Sequence, residues 1–124
     1  MHHTNIALSH VQFRVSELTP YEYELMLLQD LILDRARTHG SNRALIRGDE
    51  VLDYTALAED LHSAASGLVA LGLRPGERVG IYLNKRIEGV VAFFAANLAG
   101  GVFVPINPVL KAAQVQHILN DCNV

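Results

Sequence analysis

Leu98-Ala-Gly-Gly-Val-Phe-Val-Pro-Ile-Asn-Pro108 decides how this chain is read. A helix ends at its start, two glycines turn the chain, a short apolar strand follows, and a proline pair closes the run. Gly100 and Gly101 allow positive φ and close backbone approach, which suits a tight helix-to-strand junction. Val102 to Ile106 is short and wholly apolar, which predicts a strand buried on both faces. Pro105 argues against a long central strand, so pairing is expected to end near it. The glycines precede a strand and do not open a helix, so they offer no helix N-terminus to an anion.

Working upstream, Val79 to Leu83 is a nearly continuous apolar strand. Asn84 and Lys85 lead into a helix through Ala99, in which Val90, Val91, Phe93, Phe94 and Leu98 leave little polar face. A helix that apolar is expected to be buried on more than one side. Downstream, Lys111 to Asn120 reads as a helix with Ala112, Val115, Ile118 and Leu119 inward. The order from Val79 is strand, helix, strand, helix, which implies a parallel sheet with helices packed on it. Such a sheet needs more strands than these two, and the remaining ones are expected beyond Val124.

Leu73-Arg-Pro-Gly-Glu77 is a turn, with Pro75-Gly76 supplying its central conformations. Before it, Thr55 is expected to cap a helix with the stripe Leu57, Leu61, Ala64, Leu68 and Leu71, and Gly72 to end it. Arg43–Arg47 and Val51–Tyr54 around Gly48-Asp49-Glu50 predict a β-hairpin with a three-residue loop. Further upstream, Thr19-Pro20-Tyr21-Glu22 has the form of a capping box with proline at the first helical position. Leu25, Leu28, Ile32 and Ala36 follow at helical spacing, Asp30, Asp34, Arg35 and Arg37 face water, and Gly40 is the expected stop. Val11, Phe13 and Val15 alternate with polar residues and suggest a half-buried strand. His2 and His3 at the terminus carry no assigned role.

Chain length, 124 residues, admits one domain with a modest core, and an apolar half of the composition excludes wholesale disorder. A net charge of −3 with scattered Lys and Arg gives no footprint for nucleic acid. One cysteine, Cys122, excludes an internal disulfide and fits a reducing, cytoplasmic compartment. It has Asp121 beside it and no adjacent base, so a reactive thiolate is not expected. No stretch has the length of a membrane span, and the N-terminus lacks the apolar region of a signal peptide.

Neither common phosphate-binding glycine loop follows either apolar strand. Ser9, Ser16, Ser41, Ser63 and Ser66 lack a histidine–carboxylate pattern around them. Lys85-Arg86 and Asp49-Glu50 read as solvated turns, His62 as a packed or boundary histidine, and His117 with Asp121 as a surface pair at a helix end. The six histidines do not cluster. From the residues alone, this is an incomplete α/β domain without catalytic, cofactor-binding or metal residues.

Four segments from Ala44 to Val124 resemble the N-terminal part of the AMP-forming adenylating superfamily, which holds acyl-CoA synthetases, peptide-synthetase adenylation domains and luciferases. Leu52-Asp-Tyr-Thr-Ala-Leu57 is similar to its early (T/S)Y-x-x-L signature. Gly72-Leu-Arg-Pro-Gly-Glu-Arg-Val-Gly80 is similar to its G-(V/L)-x-x-G-D-R-V turn. Asn84-Lys-Arg-Ile-Glu88 and the apolar helix stand where its N-(S/C)-x-E element stands. Leu98 to Pro108 matches its A-G-(A/G)-x-x-x-P-(L/I/V)-N-P block. Asn107 to Leu119 is similar to the acyl-CoA ligases, and within them to a subgroup associated with exosortase systems.

The resemblance implies an incomplete N-terminal part of the large adenylating domain over residues 25–124, made of βαβ units preceded by a helix and a β-hairpin. Residues 1–24 read as an extension or an upstream start codon. It also implies ATP-dependent carboxylate activation through an acyl-adenylate, then thioester formation with CoA. ATP, Mg2+ and CoA would serve the full-length enzyme, whose catalytic loops come later in the chain. This fragment alone is expected to bind none of them and to be inactive. Tyr54, Gly76, Gly100, Gly101, Pro105 and Pro108 match turn and packing positions. The expected partners are a carboxylic-acid substrate and the rest of the ligase chain. A non-catalytic interaction module and a piece of a peptide-synthetase adenylation domain are the alternatives.

Overall fold

The computed structural model describes residues 6–8, 11–13 and 27–124. Strand β1 (Ile6–Leu8) pairs antiparallel with β2 (Val11–Phe13), Ile6 lying opposite Phe13. Thr19 to Leu25 and Val15 lie outside the described residues. Helix α1 spans Asp30–His39, preceded by a turn at Leu28 and Gln29, so no unbroken helix runs from Thr19 to Gly40. The Asp30 carboxylate accepts from the Leu27 N–H at 2.8 Å, which makes a helix start here. Leu28, expected on the buried stripe, is instead exposed.

Strands β3 (Arg43–Arg47) and β4 (Glu50–Asp53) form the expected hairpin, with a shorter loop than the sequence suggests. Arg47 pairs with Glu50, so only Gly48 and Asp49 turn the chain. Gly48 has φ +58°, the sign that a type II′ turn requires at its first central residue.

Helix α2 (Tyr54–Ala70) is capped by Asp53 and not by Thr55. The Asp53 carboxylate accepts from the Ala56 N–H at 2.8 Å. Thr55 instead lies against Gly40, and its N–H donates to the Gly40 carbonyl at 3.0 Å. Gly40 keeps right-handed helical angles, so its smallness serves this close approach and not a positive φ. At the other end, Gly72 (φ +100°) donates to Val69 O and Leu73 to Leu68 O, a Schellman cap. Leu57, Leu61 and Ala65 are buried, whereas Ala64 is half-buried and Leu71, at the C-cap, is 87% exposed. Leu71 has left the helical stripe because the helix ends before it.

Strand β5 (Arg78–Ile81), helix α3 (Ile87–Leu98) and strand β6 (Val102–Pro105) form the βαβ unit, with β5 and β6 parallel. The strand stops at Ile81, and Leu83 is exposed; the helix starts at Ile87, later than Asn84 or Lys85. One face of the pair packs on α3, where the Phe93 and Phe103 rings stand 5.2 Å apart. The other face carries Gly80, whose missing Cβ would sit 3.0 Å from Val124 and 3.5 Å from Leu119. Helix α4 (Ala112–Asp121) therefore covers the second face through Leu119. Its Ala112 is exposed, contrary to expectation, while Val115, Ile118 and Leu119 are half-buried.

The expectation that Val102–Ile106 is buried on both faces is corrected: Val102 is 48% exposed and only Ile106 is fully enclosed. The physical reason is sheet width, since among the described residues β6 has a single strand neighbour. Pairing does end at Pro105, opposite Ile81. Helices α1, α2 and α3 pack in succession, and the core lies between α2, α3 and the sheet, at Leu57, Leu61, Ile81, Ile87, Ala95 and Ala96, while Ile106 is buried on the opposite face beside Gly80.

Candidate functional site

Parallel sheets place ligands beyond the carboxyl ends of their strands. Here that edge is built by two loops, Tyr82–Arg86 after β5 and Ile106–Lys111 after β6. Tyr82 joins them: its hydroxyl lies 3.0 Å from Pro108 O and 2.9 Å from Leu110 O, and its single proton is shared between these two carbonyls. Within the second loop, the Asn107 side chain accepts from the Val109 N–H at 3.1 Å, and Leu110 donates back to Asn107 O. Asn107 is thus committed to its own turn, as asparagine before proline favours. Lys111 caps α4, with Gln114 Oε1 accepting from its N–H at 3.0 Å.

At the same edge Arg86 meets Glu88 at 3.3 Å, both largely exposed. The Glu88 carboxyl is held below the usual glutamate value, first by its own backbone N–H in the opening turn of α3, then by Arg86 and Arg47. Lys85 is exposed, as a solvated loop lysine should be. These groups could attract an anion, but no nucleophile stands beside a base among them.

The opposite end of the sheet is a structural junction. Gly76, at φ +82°, follows Pro75 in a turn closed by Glu77 N–H on Arg74 O at 3.1 Å. That turn is tied to the end of α3 by Gly76 N–H on Gly100 O at 2.8 Å. Gly100 (φ +81°) donates to Asn97 O, Gly101 to Ala96 O, and Val102 to Glu77 O. All three amides of the run are therefore used internally, so none is free for a phosphate. A Cβ on Gly101 would meet Leu73 at 3.1 Å and two backbone oxygens at 3.2 Å.

The remaining candidates stay apart. His117 and Asp121 make no hydrogen bond to each other, and Cys122 is half-buried at the C-cap of α4. His62 is exposed, bordering an open groove with Ala65, Ser66, Val69, Ala70, Leu98 and Ala99. Among the described residues, no three His, Cys, Asp or Glu side chains gather as metal ligands. No described helix is long and apolar enough to cross a membrane. The Tyr82 link escapes sequence reading because its partners lie 26 and 28 residues away and are main-chain carbonyls.

The two halves of the junction are the Gly72–Gly80 and Leu98–Pro108 segments, and comparison with known proteins finds both in one family. The family model described as AMP-binding enzyme matches residues 32–124. Phosphinothricin tripeptide synthetase PhsC of Streptomyces viridochromogenes is 37% identical over 92 residues, 74% of this chain and 8% of that protein. Tyrocidine synthase 3 of Brevibacillus parabrevis is 34% identical over 95 residues, 77% of this chain and 2% of that protein. The chain thus spans a small fraction of the curated relatives it matches. Among solved structures, the anthranilate CoA ligase AuaEII with anthranoyl-AMP superposes with a TM-score of 0.74 at 27% identity, over 77% of this chain and 19% of that one. The complex of VinN with L-aspartate gives 0.76 at 26%, over 79% and 28%. With its helix-capping glycines, its parallel βαβ unit and a match over residues 32–124, this chain belongs to the AMP-binding enzyme family of adenylating ligases.

Proposed function

We propose that this chain is the N-terminal structural portion of an AMP-forming acid–thiol ligase of the acyl-CoA type. In that reaction a carboxylate oxygen attacks the α-phosphorus of ATP, pyrophosphate leaves, and the CoA thiol then displaces AMP from the acyl-adenylate. Such chemistry runs on positioning and on charge placed around the phosphates. The observation that carries this assignment is the family junction, in which Gly76, Gly100 and Gly101 lock a turn, a helix end and a strand start together. Those amides are consumed by packing, so this segment contributes scaffold, and ATP, Mg2+ and CoA fall to the rest of the ligase. Residues 1–24 precede the matched stretch and are assigned to an extension. The lone cysteine fits a reducing cytoplasm.

The test is pyrophosphate exchange with ATP in the protein expressed from its complete natural reading frame. Exchange dependent on fatty or aryl acids, followed by a CoA thioester, is the expected result. This 124-residue chain alone should give no exchange above background. Absence of acid-dependent exchange in the complete protein overturns the proposal. A peptide-synthetase adenylation domain is the second reading, favoured by the 37% identity with PhsC. Exchange with amino acids and no CoA thioester selects it. Asn107 to Leu119 supports the acyl-CoA branch and its exosortase-associated subgroup.

A further inference from the structure

The loop after β6 is shaped by one set of hydrogen bonds and placed by another. Asn107 Oδ1 accepts from Val109 N–H at 3.1 Å, Leu110 N–H donates to Asn107 O at 3.1 Å, and Lys111 N–H donates to Gln114 Oε1 at 3.0 Å. Each of these spans two or three residues, so together they set the form of the turn and not its location. The last rung between the two strands is Ile106 N–H on Ile81 O, at 2.9 Å. Beyond that rung, among the described residues, only the Tyr82 hydroxyl ties residues 107–111 by a hydrogen bond to anything but the loop itself and α4.

The position of Tyr82 suits that task. It lies one residue past the buried Ile81, and strand alternation puts it on the face of Gly80, which α4 covers. Its rigid ring spans from the end of β5 to the carbonyls on both sides of Val109, at 3.0 Å from Pro108 O and 2.9 Å from Leu110 O. Tyr82 is 46% exposed, and Val109 between the two carbonyls is 79% exposed. At such an exposed site water replaces a lost donor, so removing the hydroxyl costs the fold little. What it removes is the tie that locates the loop.

We infer that Tyr82 is a positioning residue: its hydroxyl holds the loop between β6 and α4, and with it the start of α4, at the carboxyl edge against which the rest of the ligase completes the substrate site. This rests on the ligase reading above. Tyr82 acts through the loop and not on the reacting atoms. When the competent form of a loop is only partly populated, apparent affinity falls by that fraction, and the step after binding is unaltered. The role therefore shows in KM and not in kcat.

Tyr82→Phe, made in the protein from its complete natural reading frame, tests the inference, since it keeps the ring and removes only the hydroxyl. The KM of at least one of the acid, ATP and CoA should rise about two- to tenfold, with kcat within about a factor of two. The Val109 and Leu110 amides should exchange faster by a similar factor, and the melting temperature should move by no more than about 2 °C. Unchanged KM values for all three overturn the inference, as does a fall in kcat alone. A lowered melting temperature with unchanged kinetics also overturns it, by showing a role in the fold only. A complete protein in which no acid supports pyrophosphate exchange fails the ligase reading, and amide exchange still decides the clasp: unchanged rates at Val109 and Leu110 sink it.

Discussion

Adding a methyl group at Gly40 would place a carbon against Thr55 Oγ1 and 2.7 Å from the Ala36 carbonyl oxygen. The second contact is backbone and cannot swing aside. Gly40→Ala should therefore lower stability by about 1–3 kcal/mol, as overpacking does. Gly67 on α2 has nothing within 4 Å of its missing Cβ, and Gly67→Ala should instead stabilise by about 0.5–1 kcal/mol. Denaturant midpoints of the two variants check this opposition of sign. Sequence could place Gly72 and Gly100 correctly, because a positive φ after a helix is a local demand. It could mark Gly40 only as a stop, because the demand there comes from Thr55, fifteen positions on. Glu88 adds a pH-dependent case. Its folded value lies below the unfolded one, so the stability it lends is present above the unfolded value and lost as pH falls through the folded one. The gap in unfolding midpoint between the native protein and Glu88→Gln should thus be small at neutral pH, shrink with salt and close in acid.

At the scale of elements, α2 shows what helical periodicity can and cannot supply. Leu57 and Leu61 sit where the stripe puts them, and both are enclosed. Leu71 continues the same spacing, yet the Schellman cap at Gly72 has already turned the backbone away. Leu61→Ala should cost about 2–5 kcal/mol through lost burial and a cavity. Leu71→Ala should stay within about 0.5 kcal/mol of the native protein. Equal losses at the two sites in urea unfolding would contradict the observed burial. Element types were legible from period and turn residues, whereas ends were set by particular hydrogen bonds. Asp53 displaced Thr55 as the cap of α2, and Glu50 joined its strand because Gly48 alone could begin the turn. At the candidate edge, Asn107-Pro108 was readable as a turn, but the Tyr82 hydroxyl that fastens it was not.

At the scale of the whole molecule, the family was legible because its four blocks are junctions whose backbone geometry restricts residue choice. Sheet width was not, since one strand neighbour or two depends on chain that lies outside the local pattern. Eight apolar residues are buried among the described ones, three of them alanines, which is a thin core for a domain of this length. The sheet beside it has two parallel strands, and Tyr82, Leu83, Val102, Val109 and Val124 remain exposed around it. Parallel sheets are ordinarily covered on both faces and wider than this. The free energy released by burying eight small-to-medium side chains leaves little after the entropy of ordering the chain. The 124-residue chain alone should therefore melt in a broad, low-temperature transition. If further strands widen the β5–β6 sheet in the protein from the complete reading frame, the amides of α2 and α3 should gain protection approaching that of global unfolding. A sharp two-state melt of the short chain, at the temperature of the complete protein, would show instead that α1–α3 and the β5–β6 pair form a self-sufficient core.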